Sequence, residues 1–155
     1  MAGISNRLSI RMMVCSVAIL AVVCAAALYL PKISFSQDEH PATGQVIVYY
    51  FYGQARCASC LKIEKFTKNT LGSQFERELD SGRVVFAPMN VDEPQNRHFV
   101  EDYQLYTKSV VLSLVKGGEE VRYANLEKVW QLLRSEERFG AYVAEELNKM
   151  LKELS

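Results

Sequence analysis

Eight β-branched and aromatic residues, Gln45 to Tyr52 (QVIVYYFY), lead through Gly53-Gln54-Ala55-Arg56 into Cys57-Ala58-Ser59-Cys60. A run with no polar alternation reads as a strand buried on both faces, as in a parallel or mixed sheet. From Ala58 on, apolar residues fall at Leu61, Ile63 and Phe66, then at Leu71, Phe75 and Leu79, a helical spacing. Buried strand, sharp break, cysteine pair and helix together leave few folds open. They put both sulfurs at the junction of a strand and a helix.

The remaining pattern extends the same architecture. Gly72 predicts a kink, with Ser73 and Glu76 as a capping box that restarts the helix. Arg83 to Val91 reads as a second strand, on an edge or with a bulge because of Pro88. Asp92-Glu93-Pro94 opens a helix to about Leu105 that buries Phe99, Val100 and Tyr103. Ser109 to Val115 and Glu120 to Tyr123 form a hairpin around Lys116-Gly117-Gly118-Glu119. Asn125 caps a short helix carrying Leu126, Val129, Trp130 and Leu133, and Ser135 opens a last helix with Phe139, Tyr142, Val143, Leu147 and Leu151 inward. The order is β-α-β-α-β-β-α, an α/β chain of three layers. Strands separated by helices predict parallel pairing, with the final hairpin as an antiparallel edge. Trp130 and the other aromatic positions read as core.

The chain of 155 residues has room for one domain and a tail. Residues 1–11 carry Arg7 and Arg11 and no acid, and residues 12–30 are an apolar run about long enough to cross a bilayer. Positive charge before the run predicts a cytoplasmic N-terminus, with everything after it outside the cytoplasmic membrane, on the periplasmic or cell-surface side. The run reads as a single-pass signal-anchor or as a signal peptide cut near Ala25-Ala26-Ala27. Apolar residues continue through Leu28, Tyr29 and Leu30, which favours the anchor. Val23 before Cys24 speaks against a lipoprotein, so Cys15 and Cys24 read as lipid-facing or helix-packing residues. Residues 31–44 form a polar linker containing a solvated His40, and residues 45–155 the folded domain. With 18 basic and 18 acidic residues, formal net charge is zero, and nothing favours nucleic acid as a partner.

The sulfurs of Cys57 and Cys60 support three readings. A thiolate is the nucleophile in thiol–disulfide exchange, and a helix N-terminus favours it through unpaired N–H groups and the positive end of the dipole. Cys57 then attacks, Cys60 one turn on resolves, and Arg56 tunes the site with its charge. No cofactor beyond this disulfide is called for. A static structural disulfide is the second reading, although the short loop it closes contributes little chain-entropy stabilisation. The third is a soft-metal or metalloid site on the same two cysteines. A structural zinc site wants four ligands, and His98 has no neighbour of that kind in sequence.

The element order with C-x-x-C at the first strand-to-helix junction resembles the thioredoxin superfamily. More closely, residues 45–155 resemble a bacterial thioredoxin-like family labelled as nitrophenyl-compound nitroreductase subunits and found in arsenic-resistance operons. The likeness lies in Tyr49-Tyr50-Phe51-Tyr52-Gly53 before Arg56-Cys57-Ala58-Ser59-Cys60, in Asn90-Val91-Asp92-Glu93-Pro94, and in His98-Phe99-Val100-Glu101-Asp102-Tyr103. It continues in Tyr106-Thr107-Lys108-Ser109-Val110-Val111 and Asn125-Leu126-Glu127-Lys128-Val129-Trp130. The resemblance implies a membrane-anchored accessory redox subunit with a dedicated membrane or extracytoplasmic redox partner, and reduction of nitroaromatic arsenicals has been proposed for such proteins. Two departures from ordinary thioredoxins stand out. The buried acid expected six residues before the first cysteine is replaced by Phe51. The cis-proline expected to face the cysteines is replaced by Ser109 or Val110, where a cis bond would cost about 2.5–4 kcal/mol. Both point away from a general disulfide exchanger and toward one partner.

Overall fold

The computed structural model describes residues 44–154. The apolar run at 12–30, the residues before it and most of the linker lie outside the described residues. Among the described residues, no helix is long and apolar enough to cross a membrane.

Strand β1 spans Gln45–Tyr52, as its composition predicts. Its side chains alternate between two cores. Val46, Val48 and Tyr50 join the larger one, while Phe51 joins a smaller one with Tyr103 and Val111 on the opposite face. Helix α1, Ala58–Gln74, and α2, Glu76–Asp80, follow on the larger-core side. The break falls at Phe75 and not at Gly72. Phe75 is buried at 3% exposure, and holding its ring in the core takes the backbone out of helical geometry (φ −133°). Gly72 stays inside the helix beside open space. Ser73 donates back to the Thr70 carbonyl, so the expected capping box does not form.

Strand β2, Val84–Asn90, runs parallel to β1 on the edge of the sheet, where Pro88 is tolerated. The helix expected from Asp92 to Leu105 is broken into a 3₁₀ turn, Pro94–Asn96, and a five-residue helix α3, His98–Asp102. Asn96 turns its side chain back to the Asn90 carbonyl (2.9 Å), and Gln104 adopts a left-handed φ of 51°, which closes the segment. Phe99 and Tyr103 reach the smaller core, but Val100 stays at the surface, contrary to its periodicity.

Strands β3, Ser109–Lys116, and β4, Glu119–Asn125, form the expected hairpin. Gly117 and Gly118, both at positive φ (62° and 86°), supply its two-residue turn. The sheet order is β2-β1-β3-β4. Contrary to the expectation of parallel pairing, β3 runs antiparallel to β1. Asn90 at the end of β2 pairs with Tyr52, and Ser109 at the start of β3 pairs with Phe51. The intervening chain therefore leaves and re-enters the sheet at one end. A helix the length of α3 rises only about 7.5 Å, too little to return along a seven-residue strand of about 23 Å.

The short helix expected after Asn125 is a 3₁₀ turn, Glu127–Leu132, flanked by buried Leu126 and without a side-chain cap. Helix α4, Glu136–Lys152, starts where predicted, with Ser135 accepting from the Arg138 N–H (3.3 Å). Its apolar stripe of Phe139, Val143 and Leu147 is fully buried, and Phe139 meets Phe66 of α1 edge-on at 5.5 Å. Thus α1 and α4 cover one face of the sheet and α3 covers part of the other.

Candidate functional site: a disulfide at a helix N-terminus

Three contacts hold the loop between β1 and α1. The Asp92 carboxylate, from the end of β2, accepts from the Gln54 backbone N–H at 2.7 Å. Gly53 must be glycine for this approach, because a Cβ there would stand 2.8 Å from the Asp92 Oδ2. Tyr50, fully buried beneath the first turn of α1, donates its hydroxyl to the Cys60 carbonyl at 2.7 Å. These contacts hold Cys57 as the N-cap residue of α1, with its Sγ 3.3 Å from the Cys60 backbone N–H that points to it.

Cys57 and Cys60 are joined by a disulfide. The two sulfurs differ in access: Cys57 is exposed, while Cys60 is 1% exposed. No acid lies in the first turn of α1, so nothing there opposes a thiolate at Cys57. Leu61, one turn after Cys57, is 52% exposed, and Tyr106 is 96% exposed. Tyr106 stands in the loop before β3, beside a groove of about 270 Å³ whose lining includes Gly53 and Ala55. Trp130 supports that loop from behind, donating its indole N–H to the Lys108 carbonyl at 2.9 Å.

Arg56 stands next to Cys57, but its charge is engaged elsewhere. Its guanidinium lies over the Tyr52 ring at 4.4 Å and pairs with Glu64 of α1. Glu64 also accepts from Lys68 at 2.7 Å. Sequence reading missed Tyr50, Tyr52 and Glu64 at this site. Tyr50 and Tyr52 had the right parity to face α1, yet nothing local distinguished them from core. Glu64 is linked to Arg56 only once the helix turns.

Phe51 does not take the place expected of it. Its ring projects to the α3 face, among Tyr49, Phe99 and Tyr103, and so does not lie beneath Cys60. The side chain that reaches Cys60 is that of Tyr50, one residue earlier. Ser109 begins β3 opposite Phe51 and bonds the Thr107 carbonyl at 3.0 Å, and the described residues contain no cis peptide. His98 stacks against Phe99 at 4.1 Å. Among the described residues, no cluster of three or more His, Cys, Asp and Glu side chains is placed to hold a metal. Cys57 and Cys60 would therefore be an incomplete ligand set for a structural zinc.

A four-stranded sheet ordered β2-β1-β3-β4, with only β1 and β2 parallel and C-x-x-C between β1 and α1, decides the architecture. The fold is thioredoxin-like. No protein-family model matches the chain, and neither does any curated protein. Solved thioredoxins are similar at low identity. Fasciola hepatica thioredoxin is 23% identical over 60% of this chain and 82% of its own (TM-score 0.37). The Schistosoma mansoni thioredoxin pre-protein, in its reduced form, is 15% identical over 70% and 81% (TM-score 0.40). The germline-specific thioredoxin Deadhead of Drosophila melanogaster is 17% identical over 67% and 83% (TM-score 0.40).

On the other face of this thioredoxin-like domain, Tyr103 donates to the Glu120 carboxylate at 2.5 Å, and Ser113 donates to the same group. Burial, then the Glu120 carboxylate, pushes the Tyr103 hydroxyl far above its ordinary value of 10. Burial raises Tyr50 as well, with Arg56 acting in the opposite direction. A tyrosine raised in the folded state contributes stability that is complete below pH 10. That stability is lost as pH rises toward the folded value, because the unfolded chain releases its proton first. The melting temperature is expected to fall as pH climbs past 10, and Tyr103→Phe is expected to flatten that fall. Calorimetry between pH 8 and 11 checks it.

Proposed function

We propose that this chain is a thiol–disulfide oxidoreductase, anchored in the cytoplasmic membrane by residues 12–30, whose domain works outside with one dedicated redox protein. One observation carries the exchange chemistry: an exposed Cys57 sulfur is bonded to a buried Cys60 sulfur at the N-terminus of a long helix. An incoming thiolate must approach a sulfur in line with the S–S bond, and only Cys57 offers that access.

In the oxidising direction, a partner thiolate attacks Cys57 Sγ. A partner–Cys57 bond forms, and Cys60 leaves as a thiolate and takes up a proton. A second partner thiolate then attacks its own sulfur in the mixed disulfide and expels Cys57. The partner has lost two electrons and two protons to the Cys57–Cys60 pair. The reducing direction is the same sequence reversed, with Cys57 attacking and Cys60 resolving. Exposed Leu61 and Tyr106 give the partner an apolar footing beside the reactive sulfur.

The anchor reading rests on the apolar run and on Arg7 and Arg11 before it. Likeness to the thioredoxin-like nitroreductase subunits supports a membrane redox complex as the partner. The deciding experiment is equilibrium titration of the Cys57–Cys60 pair against a thiol redox buffer. A two-electron transition between about −120 and −270 mV, the span of dithiol oxidoreductases, is expected. A pair that stays oxidised below about −300 mV would be a structural disulfide, and the protein would serve for docking alone.

A further inference from the structure

We propose that Glu64 is a positioning residue that withholds the Arg56 charge from Cys57 and thereby holds the nucleophile's thiol pKa up. The inference rests on the thiol-exchange reading above and deepens it.

Arg56 precedes the nucleophile directly, where a free guanidinium would stabilise a thiolate. An opposite charge within about 4–6 Å lowers an acid's pKa by roughly 1–3 units. Two contacts divert it. Its guanidinium lies over the Tyr52 ring at 4.4 Å and faces Tyr50 at 5.9 Å, so the sheet supplies an aromatic floor. Glu64 closes the arrangement from α1 by pairing with the same guanidinium. Glu64 is the more sheltered partner, with 17% of its side chain exposed against 30% for Arg56. Lys68, one turn further along α1, binds the second oxygen of the Glu64 carboxylate at 2.7 Å and holds it in place. The carboxylate thus cancels a cation beside Cys57, leaving the helix N-terminus as the main support of the thiolate.

The chemical consequence concerns the balance of the dithiol and the disulfide. A stabilised thiolate stabilises the reduced form and makes the pair more oxidising, as in strongly oxidising dithiol proteins. By neutralising Arg56, Glu64 moves this pair toward the reducing side.

The test compares the wild type with Glu64→Gln, Glu64→Asp, Arg56→Gln and the Glu64→Gln/Arg56→Gln double variant, each fully reduced. Cys57 thiol pKa is read from the pH dependence of iodoacetamide alkylation, with mass spectrometry reporting which sulfur reacts. Glu64→Gln is expected to lower the Cys57 pKa by about one unit, since it releases Arg56 to act on the thiolate. Glu64→Asp keeps the charge and is expected to restore most of the wild-type value. In the Arg56→Gln background, Glu64→Gln is expected to shift the pKa far less, because no cation remains to release. An unchanged pKa in Glu64→Gln, or an equal drop with and without Arg56, would overturn the proposal. A merely structural Glu64 would lower the melting temperature and leave the pKa in place. Thiol pKa is measurable on the reduced protein whether or not the pair exchanges with a partner. Failure here is therefore distinct from failure of the redox titration.

Discussion

A Cys60→Ser variant is expected to accumulate as a mixed disulfide with its partner, and Cys57→Ser to form no adduct and turn nothing over. Cys57 is the exposed sulfur at the N-cap of α1, and Cys60 is buried behind it at 1% exposure. Cys60 is held one helical turn from Cys57, with the Tyr50 hydroxyl on its carbonyl at 2.7 Å. Its attack on a mixed disulfide is therefore intramolecular and oriented, with an effective concentration far above that of any thiol in solution. Removing it should lengthen the adduct's life by roughly 100-fold or more. Non-reducing electrophoresis of acid-quenched membranes checks this. An adduct that forms in Cys57→Ser and not in Cys60→Ser would reverse the assigned roles.

The second large effect is on stability. Phe51→Asp, which restores the acid that ordinary thioredoxins carry six residues before the first cysteine, is expected to destabilise the domain severely and leave the thiols unaltered. Phe51 is 1% exposed and packs at 5.2 Å from both Tyr49 and Phe99 and at 5.4 Å from Tyr103. Truncating a buried Phe costs about 3–5 kcal/mol, and an unpaired carboxylate in that apolar cluster adds a desolvation cost. Total stabilities of domains are only about 5–15 kcal/mol, so the variant should be largely unfolded or nearly so. Urea denaturation gives the loss. Thiol alkylation in whatever folded fraction remains should match the wild type. A well-folded variant with an altered Cys60 titration would show that position 51 does reach the cysteines.

Phe51 also shows where reading the sequence stops. Counting back from Cys57 identifies the right strand and the wrong face. Side chains alternate along a strand, so an error of one position moves a residue from one core to the other. The loop at Gly53–Arg56 sets that offset, and its path depends on Asp92, which lies 38 residues on from Gln54. Val100 carried a similar ambiguity: its spacing suits a long helix, but Asn96 and Gln104 break that helix and leave it exposed.

Local events were legible in the chain itself. An unbroken β-branched and aromatic run made β1, the cysteine spacing put both sulfurs on one turn of helix, Gly117-Gly118 made the hairpin, and Ser135 opened α4. Each of these depends on neighbours within a few residues, so local chemistry suffices. Four features were settled only by folding: the direction of β3, the burial of Cys60 against the exposure of Cys57, the seat of Tyr50 under the helix, and the diversion of Arg56 onto Tyr52 and Glu64. These depend on which surfaces meet after the chain has crossed the sheet. Residues far apart in sequence meet there through burial and charge that no short window contains.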